Sequence, residues 1–479
     1  METPDADPKP EPEPKDPDAA PENTPPQPKP DPEPAPAPSQ SAADSGMPAP
    51  QPPAPSTPVP QASDDDAGTE PATEQGDSGG SLCQGERPIA AVIDKLDLLF
   101  MVDNSNTMAQ EQEALRAQFP RLMQILTSGR RSDADAHPFT PVTDLHVGVV
   151  SSDMGTPGVN YGTGSNCNAN GGDDAHLQHQ ATAPGCAETY PSFLSFTSGS
   201  DADRLARDFA CIAQLGTGGC GFEQQLEAPL KALWPSVYRD GMGRVVEPNP
   251  ISFLSVTAEG TRGRADVPPE QGGNAGFLRR DPDALLAVVV ITDEEDCSMR
   301  NTEFVKPTTQ LPLDSPYYRQ DVNLRCFYNP EMLFDVRNRY YNGFRKLRPG
   351  NEQLVLFAAI AGVPADLVDA AARAQIDPAN AASLDAYYDR ILLDSRMQEV
   401  IDPATNPGMG TGSLTPSCRR TDAQGHVASA FPPRRIVELA KAFGANGTVQ
   451  SICQDDFGPA IDGVVDMLAR RIMEPCAGL

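Results

Sequence analysis

Apolar residues in this chain gather into short unbroken runs, and between the runs they recur at three- and four-residue spacing. Residues 96–103 (LDLLFMVD) form the first run and end in an acid. Successive side chains of a strand point to opposite faces of its sheet, so a run apolar at nearly every position predicts a strand buried on both sides. Residues 145–152 (LHVGVVSS), 285–293 (LLAVVVITD) and 353–361 (QLVLFAAIA) predict three more such strands, and 448–453 a fifth. Helical spacing lies between them. Leu115, Phe119, Leu122, Met123 and Leu126 predict one apolar face on a helix beginning near Asn106, and similar patterns occupy 202–215, 222–234 and 331–347. Pro432-Pro433 and Gly444 bracket a helix over 434–443, matching the proline-start, glycine-stop asymmetry of helices. A last helix, capped by Asp455 or Asp456, places Phe457, Ile461, Val464, Val465, Leu468 and Ile472 on one side.

Strands alternating with helices imply right-handed crossovers and a doubly wound α/β fold, with a mostly parallel sheet covered on both faces. Ligands of such folds bind beyond the carboxyl ends of the strands, where the runs ending at Asp103 and Asp293 deliver their acids. Four stretches break the rhythm, at about 153–200, 235–284, 294–330 and 363–432. Without them the remainder is the size of one ordinary domain, so the expectation is a single domain over 81–479 with long insertions, the last partly helical.

Composition changes the picture at the amino end. Residues 1–80 hold 23 of the 51 prolines and no Ile, Leu, Phe, Trp or Tyr, so they lack the apolar area that offsets an ordering cost of roughly 1–2 kcal/mol per residue. They read as an extended tether. With 17 acidic and 3 basic residues, the tether carries −14 of the formal charge of −30. A chain this acidic, without a Lys/Arg cluster, repels phosphate backbones, which argues against a nucleic-acid partner. No apolar run reaches the roughly 18–20 residues of a membrane helix, and the first residues lack the pattern of a signal peptide.

Ten cysteines, none in a Cys-x-x-Cys pair, fit a disulfide framework and hence an extracytoplasmic setting: periplasm, cell envelope or outer surface. The expected pairs are Cys83 with Cys476, Cys167 with Cys186, Cys211 with Cys220, Cys297 with Cys326, and Cys418 with Cys453. A Pro/Glu/Ala-rich leader before a cysteine-rich domain is similar to the spacer of bacterial surface lipoproteins, which implies export and anchoring through a lipidated terminus.

The chemistry gathers at Asp103-Asn104-Ser105-Asn106-Thr107, directly after the first strand. This segment resembles the Asp-x-Ser-x-Ser signature of von Willebrand factor A domains, with Thr107 in the last place, and Val290-Ile291-Thr292-Asp293 resembles that family's Thr-Asp at the end of a later strand. The order of strands and helices from about 90 to 475 is similar too, insertions apart. The resemblance implies a metal-ion-dependent adhesion site and a protein or matrix ligand that offers an acidic group, with no catalysis.

The donor set suits a hard dication by itself: Mg²⁺, or Ca²⁺ or Mn²⁺, takes oxygens from carboxylates, hydroxyls and water. Asp103, Ser105 and Thr107 alternate along a tight loop, and Asp293 adds a second carboxylate from a neighbouring strand. In the family a Thr on a further loop completes the set. The corresponding region here is 215–223, where Thr217 is the candidate and Cys220 the alternative by spacing. After Asp293 the family commonly has Gly, whereas this chain has Glu294-Glu295-Asp296.

Three other readings compete. Asp103 and Ser105 could simply cap the first helix, leaving a disulfide-stapled envelope protein without metal dependence. A phosphatase of the haloacid dehalogenase type also places an acid after an apolar strand, but its signature needs a second Asp as general acid/base where this chain has Ser105. His176 and His179, near Asp173 and Asp174, have a zinc-like spacing in an Asn/Gly-rich loop that offers no third ligand.

Overall fold

A computed structural model describes residues 93–475 apart from 163–164, 182, 282, 408–410 and 422–424. Strands β1 (Lys95–Val102), β2 (Asp144–Ser151), β3 (Leu194–Thr197), β4 (Leu285–Ile291), β5 (Val355–Ala361) and β8 (Gly447–Ser451) form one sheet in the order β3-β2-β1-β4-β5-β8. All neighbours are parallel except β2 and β3. A separate hairpin joins β6 (Cys418–Thr421) to β7 (Val427–Ala430).

The apolar runs are strands because both faces of the sheet are covered. Along β1, Leu96, Leu98, Phe100 and Val102 enter one core while Leu99 and Met101 enter the other. β4 divides the same way, with Ala287, Val289 and Ile291 on the first face and Leu286, Val288 and Val290 on the second. Burying each such aliphatic side chain contributes about 1.5–3 kcal/mol, so the central strands carry much of the fold's stability.

Helices α1 (Ala109–Arg116), α2 (Phe119–Ser128) and α3 (Ala202–Ile212), with the helix Gly458–Met473, cover the first face. The second is covered by α4 (Glu227–Leu233), the helical segment Val336–Arg345 and the helices Ala381–Leu393 and Arg434–Phe443. Among the described residues no helix is long and apolar enough to cross a membrane.

Several sequence expectations need correction. The single helix expected from Asn106 is two, because Pro120 stands in the first turn of α2 and has no N–H to continue the ladder from α1. The helix expected over 222–234 starts only at Glu227, which frees residues 223–226 as loop. The helix expected over 331–347 is a succession of short turns with a π-helical stretch, Val336–Tyr341. The edge strand β3 lies inside a stretch assigned to an insertion, where four alternating residues are too short a signal.

Four disulfides join described residues: Cys167–Cys220, Cys186–Cys211, Cys297–Cys326 and Cys418–Cys453. The last two were expected. The expected pairs Cys167–Cys186 and Cys211–Cys220 are instead exchanged, because the loop after β2 folds against the end of α3 and the loop that follows it, joining Cys186 to Cys211 within α3 and Cys167 to Cys220 beyond it. Cys83 and Cys476 lie outside the described residues. Closing loops of 25 to 53 residues, such bonds restrict the unfolded chain by about 3–4 kcal/mol each in the chain-entropy account, and they suit an oxidising, extracytoplasmic environment.

The opposite end of the sheet holds a buried ion cluster. Asp97, fully buried on β1, accepts from the Arg348 Nη2 at 2.8 Å, the Arg279 backbone N–H at 2.9 Å and the Arg279 guanidinium. Arg348 also donates to the carbonyls of Ala284 and Arg279. This cluster fastens the loop before β4 and the turn before β5 to the central strand.

Candidate metal centre

The site begins where β1 runs out. The Asp103 N–H still bonds the Ile291 carbonyl at 2.9 Å, so Asp103 is held between the carboxyl ends of β1 and β4. Its carboxylate is fully buried. Oδ1 accepts from the Ser105 N–H at 2.9 Å and the Ser152 hydroxyl at 3.1 Å, and Oδ2 accepts from the Thr292 hydroxyl at 2.5 Å. The loops after β1, β2 and β4 therefore all fix this one side chain. Burial pushes its carboxyl above the usual range, and these hydrogen bonds oppose that shift.

Around Asp103 the oxygens outnumber the protons. The Ser105 and Thr107 hydroxyls lie 3.1 Å apart. Ser105 also meets the carboxylates of Asp103 and Glu223, and Thr107 that of Asp293. Each hydroxyl has one proton to donate, so two protons face four oxygen contacts. Asp293 is 2% exposed, and its buried Oδ1 has no hydrogen-bond donor among the described residues. An oxygen-rich point of this kind, where carboxyl protons can be exchanged for a cation, fits a hard dication.

Two further acids close in. Burial and the neighbouring Asp103, Glu294 and Asp293 carboxylates hold the Glu223 carboxyl well above its ordinary value. Glu294 is pushed up to about 8 by burial and Asp103. Burial, Asp103 and Glu294 raise Asp293 in the same way. Among the described residues no group of three or more His, Cys, Asp or Glu is placed so that these side chains alone could hold a metal ion. The donors present are carboxylates near enough to repel one another, with serine and threonine hydroxyls between them.

The structure thus brings Asp103, Ser105, Thr107 and Asp293 together, and adds Ser152, Thr292, Glu223 and Glu294. Thr217 is half-buried in the loop clamped by Gln112, whose Nε2 donates to the Asp103 and Gly216 carbonyls at 2.8 and 2.9 Å. No hydrogen bond among the described residues joins Thr217 to the acids. The loop sends in Glu223 from farther along. Cys220, the alternative by spacing, is tied to Cys167 and has no thiolate to offer.

The signal for Glu223 was weak, since one acid in a Gly-rich loop has no periodicity. Of the acids after Asp293, only Glu294 faces the site. Glu295 accepts from the Arg435 N–H at 2.9 Å, while Asp296 accepts from the Leu226 N–H and the Arg435 guanidinium. His176 and His179 contact the main-chain carbonyls of Asp173 and Leu177.

Gly219 is the hinge of this arrangement. Its N–H donates to the Asn104 carbonyl at 2.8 Å, and a Cβ there would stand 2.1 Å from Asn104 Oδ1. Gly219→Ala must push the 103–107 loop aside. The expected result is a loss of about 1–3 kcal/mol in denaturant unfolding together with weaker cation binding.

The raised carboxyls also predict a pH dependence. Unfolded Asp and Glu release their protons near pH 4, whereas the folded site keeps some up to about 8. Stability contributed by these protonated groups is therefore complete below the unfolded values and is lost as pH rises through the folded ones. Melting temperature in chelator is expected to fall between about pH 5 and about pH 9, and a divalent cation is expected to flatten the fall, because it replaces the missing protons.

Above the site opens a cleft of about 960 Å³, with Thr107, Glu223 and Glu294 on its floor. No protein-family model, curated protein or solved structure matches the chain.

Proposed function

We propose that this chain is an extracytoplasmic recognition module of the von Willebrand factor A type, which holds a protein or matrix ligand through a divalent cation and is set away from its anchor by the acidic, proline-rich segment 1–80. The observation that carries the reading is the convergence of Asp103, Ser105, Thr107 and Asp293 beyond the carboxyl ends of β1 and β4, together with a buried Asp293 Oδ1 that has no hydrogen-bond partner among the described residues. When bound, the cation supplies an electrophilic point with an open position for a ligand carboxylate. The chain's own residues do the rest: Gln112 fixes the backbone of the loop, Ser152 and Thr292 orient Asp103, and Ser105 and Thr107 carry the hydroxyl oxygens.

Ser105 has no carboxylate with which to act as a general acid, so the phosphatase reading lacks its second acid. The structural reading, in which the loop only folds the chain, rests on Asp103 already accepting three hydrogen bonds. Immobilised matrix and envelope proteins separate the two. Retention that disappears in chelator and returns with Mg²⁺ supports the cation reading. Retention indifferent to chelator supports the structural one.

A further inference from the structure

The stretches that the basic fold does not need build the walls of the cleft over the cation site. Tyr161 comes from the first insertion, Leu324 and Phe327 from the third, and Glu399 and Phe431 from the fourth. They are fastened to one another: the Thr302 hydroxyl donates to the Pro157 carbonyl at 3.0 Å, and the Gly412 N–H to Asp321 Oδ2 at 2.9 Å. The disulfides Cys167–Cys220 and Cys297–Cys326 pin the same walls, and three of those four cysteines line the cleft. A rigid cleft of about 960 Å³ is the upper size of a small-ligand pocket, so it admits a short chain segment in preference to a flat protein face.

Its charge narrows the occupant further. The lining carries Glu223, Glu294, Glu295, Asp296, Glu399 and Glu438 against Arg434 and Arg435 only. Both cations are committed. Arg435 pairs with Asp296 at 3.1 Å, and Arg434 donates to the Leu392 and Met397 carbonyls. Glu399 has no ion pair within 4 Å among the described residues, and the Arg434 and Arg435 charges act on it from farther off. With a dication in place of the carboxyl protons, the six lining acids still outnumber the charges of the two arginines and the cation. A ligand offering only acidic groups is repelled by that surplus.

We infer that the natural ligand is a short peptide segment in which the carboxylate that reaches the cation is flanked by lysine or arginine, the basic side chain resting against Glu399. This rests on the cation reading, and the test keeps the two apart. Fluorescent blocked pentapeptides with a central aspartate, flanked by lysine, serine or glutamate, are titrated into the full chain in saturating Mg²⁺, with Mg²⁺ titrated calorimetrically alongside.

The lysine-flanked peptide is expected to bind roughly tenfold or more tighter than the serine-flanked one, and the glutamate-flanked one more weakly still. Glu399→Gln is expected to shrink the lysine preference, and so is added salt. Normal Mg²⁺ binding with equal affinity for the three peptides, or with glutamate preferred, overturns this inference alone. Absence of Mg²⁺ binding overturns the cation reading beneath it.

Discussion

Asp103→Asn is expected to uncouple the fold from divalent cations. In the wild type, a cation that binds only the folded chain raises its stability by RT ln(1 + [L]/Kd), about 2.7 kcal/mol at a hundredfold excess over Kd. Asp103 is the residue on which the loops after β1, β2 and β4 converge, and its carboxylate is the buried charge nearest all the other acids. Substituting partners that merely orient metal ligands commonly costs 10–100-fold in affinity, so loss of this charge is expected to cost about a hundredfold or more.

The asparagine keeps an acceptor oxygen for the Ser105 N–H and the Ser152 hydroxyl, and its amide N–H can donate to the Thr292 hydroxyl oxygen instead of accepting from it, so the sheet survives and the cation-free melting temperature stays close to the wild type or rises as repulsion with Asp293 and Glu223 is relieved. Melting curves of both proteins with and without Mg²⁺ check this. A cation-induced shift of equal size in the variant would remove Asp103 from the site.

Asp97→Ala is expected to have the larger effect on stability. It removes the one carboxylate shared by Arg279 and Arg348, whose side chains are 11% and 4% exposed; Arg279 keeps Asp144 as a partner, whereas Arg348 is left with no ion pair among the described residues. Breaking a buried pair from one side typically costs about 3–5 kcal/mol, because the orphaned charge cannot be resolvated. Against a total of about 5–15 kcal/mol, that is a large share. Arg348 also fixes the turn before β5 through the Ala284 and Arg279 carbonyls, so the damage reaches two strands. Chemical denaturation is expected to show the loss with cation binding to the surviving folded fraction unchanged, since Asp97 lies near the start of β1 and Asp103 just past its end.

The central strands were legible because burial on both faces leaves its mark on every residue, as in β4, where all seven positions are buried. The acids at their ends were legible for the same reason, since a polar residue closing an apolar run has only the sheet's edge to go to. Asp103 and Asp293 were placed at the strand ends that way, whereas Ser105 and Thr107 were named from the resemblance of the loop. Glu223 was found neither way. It reaches the site because Gln112 folds back the 215–223 loop and Cys167–Cys220 holds it there, and both contacts join residues far apart in sequence.

The two exchanged disulfides have the same origin. Pairing Cys167 with Cys186 and Cys211 with Cys220 closes the shortest loops, which the chain alone favours, but the two loops pack across each other and geometry selects the longer closures. Pro120, by contrast, was visible in the sequence, and its break between α1 and α2 is a local rule that the long apolar stripe concealed.

Calorimetric titration of the purified, chelator-treated chain with Mg²⁺, Mn²⁺ and Ca²⁺ tests the central claim most directly. The account predicts saturable binding that strengthens as pH rises toward about 8, where Glu294 gives up its proton, and that is lost in Asp103→Asn. Absence of heat for all three cations, at protein concentrations able to detect millimolar affinity, or an identical isotherm from wild type and Asp103→Asn, would contradict it.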